Sequence, residues 1–217
     1  DDAIEVDHLR TPYRQYEPTD PNQKAQILFF HGGGFVVGGL ESHNSICAEI
    51  CAGTNCIVRS VDYRLAPEHP HPASFDDCLY AFKLFAANLD LPVVLVGDSA
   101  GGNLAAAVSH ATRGQAYAPI GQVLIYPALG GDMSKGSYVE HANAPMLTKA
   151  DIDFYHEIRA GGKDLDKDVA AQPLMDADFS HLPKTVAFSA ECDPLADDGK
   201  HYCDAIIASG GEATWHH

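Results

Sequence analysis

Ser99 stands at the centre of Gly97-Asp98-Ser99-Ala100-Gly101-Gly102. A serine hydroxyl attacks a carbonyl only when it is held clear of its neighbours, next to a base, and close to donors that stabilise the oxyanion. The G-x-S-x-G pattern supplies the first and last of these when it joins a strand to a helix. The apolar run Leu91-Pro92-Val93-Val94-Leu95-Val96 before it reads as a strand, and Asn103-Leu104-Ala105-Ala106-Ala107-Val108 after it reads as a helix start. A chain that reverses this sharply crowds the positions two before and two after the apex. Gly97 and Gly101 have no Cβ to clash there, and the apex residue takes a strained backbone conformation. The helix behind it aims free backbone N–H groups at the same spot. Alone, the pattern is a weak signal, because small-residue turns are common. Its context makes it a strong one.

A second motif lies upstream. The short apolar strand Gln26-Ile27-Leu28-Phe29-Phe30 runs into His31-Gly32-Gly33-Gly34-Phe35. Three glycines let a backbone approach a ligand closely, so the loop reads as a donor of N–H groups to an anion. A merely flexible turn would be more polar and would not lead into Phe35-Val36-Val37. His31 is read as fixing the loop through a hydrogen bond rather than as a base. A third group is Asp193, just past the strand 184–190 and followed by Pro194. There a carboxylate is well placed to orient a histidine. Helix capping accounts for Asp197 and Asp198 but leaves Asp193 free. Asp62, Arg64 and Glu68 are read as an internal ion-pair cluster pinning an irregular, proline-rich loop, not as an acid/base set.

These residues need elements to hold them. Helices are predicted over 41–53, with Ser42 near the first cap, over 73–87, from the elbow to 113, over 148–160 and up to 209. Strands are predicted over 26–30, 55–61, 91–96, 120–126, 184–190 and 212–217. Residues 1–25 read as an early strand or arm with a turn at Asp20-Pro21-Asn22. The Gly-rich stretch 128–145 reads as a long loop of the kind that forms lids or binding walls. Strands alternating with helices indicate an α/β fold with a mostly parallel sheet flanked by helices. The length of 217 residues suits one domain.

A formal net charge of −16 argues against nucleic acid or an anionic membrane as partner. No stretch is long and apolar enough to span a membrane, and the N-terminus lacks the basic and apolar segments of a signal peptide. The six cysteines form no C-x-x-C pair. They are read as buried apolar residues of a reducing, cytoplasmic compartment. A metal site of Cys47, Cys51 and His43 ranks below that reading, so no metal and no cofactor is expected. The edges of such a sheet offer a surface for a homodimer.

With Asp62-Tyr63-Arg64-Leu65-Ala66-Pro67-Glu68 standing between the first two motifs, the chain resembles the hormone-sensitive-lipase family of α/β-hydrolases, in its bacterial family IV esterase branch. The resemblance covers about residues 25 to 211. It implies Ser99 as nucleophile and Asp193 as the acid that orients a histidine. It implies the N–H groups of Gly33, Gly34 and Ala100 as oxyanion hole, with no cofactor. The expected function is a serine carboxylesterase acting on small, short-acyl esters. Relatives carry helices ahead of the first motif that help cap the site. The stretch ahead of Gly33 is short, so a reduced N-terminal cap is expected. In relatives the catalytic histidine lies in a loop after the last core strand. His216 and His217 fall on that strand, so the expectation is a single domain over 1–217 without the strand-loop-helix that bears the base. A non-catalytic relative is the alternative: the plant gibberellin receptors resemble this family and bind a small molecule in the old site without that histidine. An intact Ser99, Asp193 and glycine loop argue against it. An amidase or peptidase ranks last, because no second domain is present to gate peptides.

Overall fold

Leu28 and Phe30 point into one hydrophobic cluster and Ile27 and Phe29 into another, and all four are buried. A strand covered on both faces has no reason to alternate polar and apolar residues. This explains the apolar run of residues 27–30 in β3 (Gln26–Phe30). The computed structural model describes residues 2–6, 9–20, 23–88 and 91–217. The expected turn at Pro21-Asn22 lies outside the described residues.

Eight strands form one sheet: β1 (Asp2–Val6), β2 (Leu9–Tyr16), β3, β4 (Ile57–Val61), β5 (Val93–Asp98), β6 (Gly121–Ile125), β7 (Lys184–Phe188) and β8 (Ala213–His216). Their order is β1-β2-β4-β3-β5-β6-β7-β8. The β1/β2 and β2/β4 pairs are antiparallel, and every pair from β4 through β8 is parallel. The early strand or arm is therefore two strands that extend one edge of the sheet.

Parallel neighbours need crossovers, which the helices supply. They are α1 (Asn44–Thr54), α2 (Ala73–Asn88), α3 (Ala100–Thr112), α4 (Ser137–Glu140), α5 (Lys149–Ala160) and α6 (Ala196–Ala208). Phe82 of α2, Leu104 of α3 and Ile206 of α6 join the larger cluster, and Cys47 and Cys51 of α1 join the smaller one. Each large apolar side chain buried this way contributes roughly 1.5–3 kcal/mol. The chain leaves β3 toward β4 and leaves β5 toward β6. The carboxyl ends of β3 and β5 thus flank a topological switch point, where open α/β sheets leave a crevice.

Three local expectations are corrected. Ser42 does not cap α1; it exchanges hydrogen bonds with the Gly39 backbone, and the helix starts later, at Asn44. Arg64 forks onto Asp77 of α2 at 2.7 Å, a partner outside the expected cluster of Asp62, Arg64 and Glu68. Asp77 was hidden from a local reading because it comes from the next helix. Asp197 and Asp198 do more than sit in the first turn of α6. Asp197 accepts the Ser137 N–H at 2.8 Å. Asp198 accepts the Leu129 N–H at 2.7 Å and the Tyr138 hydroxyl at 3.0 Å. The two acids moor the long 128–145 segment to α6. At α5, Thr148 and Asp151 form a capping box, and Gly161 closes the helix in the left-handed conformation.

Asp198 is fully buried, and burial pushes its carboxyl up to about 6. The native state therefore holds a proton that the unfolded chain releases at lower pH. Its contribution to stability is complete below the unfolded carboxylate value and is lost as pH rises through about 6. Thermal melts of the parent and of Asp198→Asn, compared from pH 4 to pH 7, should show the parent losing ground to the variant as pH rises. A melting-temperature difference that stays flat across this window would contradict the assignment.

Candidate active site

Ser99 lies between β5 and α3 with φ 52° and ψ −114°, outside the ordinary basins for a residue with a side chain. Such strain costs on the order of 1–3 kcal/mol and persists only where the surroundings impose it. Here its N–H donates to the Ile125 carbonyl at 2.8 Å, and its own carbonyl accepts from Asn103 at 3.1 Å and Ala128 at 3.3 Å. The flanking glycines are needed sterically. A Cβ on Gly97 would meet the Gly101 carbonyl oxygen at 2.3 Å, and one on Gly101 would meet the Phe30 carbonyl oxygen at 1.9 Å.

The loop after β3 is built to the same tolerance. Gly33 has φ +121°, and a Cβ there would lie 2.0 Å from the Val37 carbonyl oxygen. Gly34 has φ +60° and faces the Tyr155 ring, 2.6 Å from where its Cβ would be. The loop folds back on itself through Val36 and Val37 N–H donations to the Gly33 carbonyl. His31 is fully buried and stacks on Tyr63, ring centroids 4.2 Å apart. Its Nδ1 lies 2.8 Å from the Gly32 carbonyl, which only accepts, so Nδ1 bears the proton. Burial pulls the imidazole down to about 4, which keeps it neutral near pH 7. His31 holds the loop, as its position in the motif suggested, and is not placed to act as a base.

Two residues that the sequence reading passed over tie the site together. Asp98, the variable position ahead of Ser99, accepts the Gly32 N–H at 3.0 Å and lies 3.2 Å from His43 Nε2. It thereby pins the glycine loop to the elbow and to the start of α1. Arg159 of α5 is buried, with its guanidinium 3.5 Å above the Phe35 ring. The α5 residues Ile152, Tyr155, His156 and Arg159 recur at helical spacing and line the cavity. That stripe is legible in the sequence, and it is the signal that would have found them.

A cavity of about 120 Å³ opens beside Ser99. Its walls are Gly34, Phe35, Ser99 and Ala100, the α5 stripe, residues of the 128–147 segment including Gly130, Met133, Tyr138 and Leu147, and Ala171, Gln172 and Leu195. The long loop thus forms a binding wall. No aspartate or glutamate is among these lining residues, although the protein carries a net charge of −16.

Of the residues predicted for the site, Ser99, Ala100 and Gly34 meet at this cavity, and Gly33 directly precedes Gly34. Asp193 lies beyond the end of β7, two residues before the wall residue Leu195. Its Oδ1 accepts the Leu195 N–H at 2.8 Å, bracing a turn that leads into α6, whose start carries no side-chain cap. Burial raises its carboxyl, partly offset first by the Leu195 N–H donation and then by the nearby His141. The strand ends form a ladder from Ser99 toward Asp193: the Tyr126 N–H donates to Phe188 and the Ser189 N–H to His216. His216 stacks on Phe188 and His217 on Trp215. Among the described residues, no histidine is hydrogen-bonded to Ser99 or Asp193, and His156 is the histidine that reaches the cavity wall. Cys47 and Cys51 sit in the smaller core cluster.

The family model described as the alpha/beta hydrolase fold matches residues 27–217. Carboxylesterase NlhH of Mycobacterium tuberculosis is 35% identical over 210 residues, covering 92% of this chain and 66% of that protein. Esterase LipI of the same organism is 38% identical over 205 residues, covering 90% of this chain and 64% of that protein. The crystal structure of a hyperthermophilic esterase from the archaeon Pyrobaculum calidifontis superposes with a TM-score of 0.92 at 34% identity, covering 98% of this chain and 73% of that one. The chain spans just under two thirds of the length of these curated relatives.

The elbow geometry predicts a contrast between two glycine-to-alanine changes. Gly101→Ala forces a methyl group into the Phe30 carbonyl and should cost several kcal/mol or prevent folding, whereas Gly53→Ala in α1 meets open space and should be neutral or stabilising by up to about 1 kcal/mol. Chemical denaturation of both variants checks it. Equal effects would contradict the close approach.

Proposed function

This chain belongs to the α/β-hydrolase-fold family that its residues 27–217 match, and on that premise we propose that it is a serine carboxylesterase acting on small, uncharged, short-acyl esters. The observation that carries the reading is the convergence of Ser99, Ala100 and Gly34 on one cavity, with Ser99 at a strained strand-to-helix apex. The relatives named carboxylesterase and esterase support it.

In this reading Ser99 Oγ attacks the ester carbonyl carbon while a histidine held by Asp193 takes its proton. The carbonyl oxygen becomes an oxyanion facing the N–H groups of Gly33, Gly34 and Ala100. The intermediate collapses, the C–O bond to the alcohol breaks, and the histidine returns the proton to the departing alkoxide. Water, deprotonated by the same base, then releases the acid and regenerates Ser99. Each oxyanion donor is worth about 3 kcal/mol of barrier, because it acts on charge present only in the transition state. A lining without carboxylates suits that role, since nothing there repels the developing charge.

The cavity volume supports the short-acyl preference. A dry cavity of roughly 150 Å³ holds one benzene ring, so a space of about 120 Å³ accommodates an acyl chain of a few carbons. A reducing, cytoplasmic setting is supported by the six free cysteines. Among the described residues no helix is long and apolar enough to cross a membrane. A purely ligand-binding role has no use for a strained serine beside two sets of backbone donors.

Ser99→Ala should lower hydrolysis of p-nitrophenyl butyrate by at least about 10⁴-fold with the fold retained. Unchanged turnover would remove Ser99 from the chemistry. Asp193→Asn should lower turnover by roughly 10³–10⁴-fold with little change in melting temperature. A large drop in melting temperature with near-normal turnover would instead make Asp193 only a brace of the turn into α6.

A further inference from the structure

Arg159 is a cation placed where a cation is expensive. It is 4% exposed, and its hydrogen-bond partners are carbonyl oxygens: Asn103 Oδ1 at 3.1 Å, Ala171 at 3.1 Å and Ala170 at 3.4 Å. Its Nε is buried without a partner. No carboxylate is hydrogen-bonded to it, Asp168 acting on it only through space, so a guanidinium taken out of water here is costly and its contacts must be strong ones. Burial pulls its pKa down, which reflects that cost.

The contacts identify what it does. One face of the guanidinium lies 3.5 Å over the Phe35 ring. Phe35 directly follows Gly34 and holds φ 65°, a conformation that a phenylalanine keeps only under constraint. The other contact, Asn103, lies in the first turn of α3, the helix whose first residue is Ala100. Asn103 also donates to Ala128 at 2.7 Å and to Ala171 at 2.8 Å. Arg159 therefore bridges the two chain segments whose N–H groups, Gly34 on one side and Ala100 on the other, must point at a single oxygen. Tyr155, one turn back on α5, presses on Gly34 itself.

We propose that Arg159 is the positioning residue of the oxyanion hole, locking the glycine loop to the elbow helix through Phe35 and Asn103. The proposal rests on the esterase reading above. Lysine keeps the charge but loses both the planar stack and the fork, so charge alone does not fulfil the role. A misplacement of about 1 Å at such a site costs on the order of 100-fold in rate.

The test compares the parent with Arg159→Lys, Arg159→Met and Phe35→Leu, using p-nitrophenyl butyrate and scaling rates to active sites titrated with a fluorophosphonate. All three variants should show kcat lowered roughly 10- to 100-fold at nearly unchanged KM. Arg159→Lys should not rescue. Hydrogen exchange over residues 32–38 should speed up in each variant while that of β5 stays as in the parent. A rise in KM at unchanged kcat would overturn the proposal, since Arg159 would then merely line the substrate cavity. Parent-like kcat per titrated site, or full rescue by lysine, would overturn it as well. Ser99→Ala, run alongside, separates the two ideas: turnover that survives in it defeats the esterase reading, whereas turnover lost in it but retained in the Arg159 variants defeats this proposal alone. Should the parent turn over no ester, the exchange measurement decides, and unaltered exchange over 32–38 overturns the proposal.

Discussion

The site depends on one close approach, that of the α3 backbone at Gly101 to the carbonyl at the end of β3. A single added methyl group would come within 1.9 Å of that oxygen. The contact brings the segment after β3 and the segment after β5 nearer than side chains normally permit. Only at that range can N–H groups from two separate stretches, Gly34 and Ala100, open onto one cavity with Ser99. The strained φ of Ser99 and the left-handed Gly34 follow from the same demand. The glycines are therefore steric requirements of the chemistry, and their positions in the motifs record where backbone meets backbone.

Around that contact the protein spends polar groups on holding loops. Asp98 ties the glycine loop to the elbow, His31 braces it from within, and Arg159 spans it to α3. Asp197 and Asp198 fasten the opposite wall. Among the described residues no aspartate or glutamate lines the cavity, and the buried carboxylates of Asp98 and Asp198 serve as acceptors for backbone N–H groups behind it.

Much of this was legible in the sequence, because glycine spacing and apolar runs report steric and burial demands directly. The strand 26–30, the start of β7 at Lys184, the elbow and the helix over 148–160 rest on such local rules. What escaped was decided by partners distant in the chain. Asp77 receives Arg64 from across a loop, and Asp198 reaches segment 129–138, so a reading confined to neighbours places Arg64 with Asp62 and Glu68 and leaves Asp198 a capping role. Asp193 was read as free although its nearest donor, the Leu195 N–H, was two residues away. Arg159 left a visible trace, one stripe of a helix shared with Ile152, Tyr155 and His156. Its value emerged only once α5 was seen against Phe35 and Asn103.

The central claim is that the elbow makes Ser99 a nucleophile. The most direct measurement is covalent: incubate the protein with a small p-nitrophenyl alkylphosphonate, record the intact mass, and map the modified residue by peptide mass spectrometry. The account predicts one adduct per chain, located on Ser99, with one equivalent of p-nitrophenol released. Modification of a different residue, or a chain that stays unmodified while retaining the native fold, would contradict it.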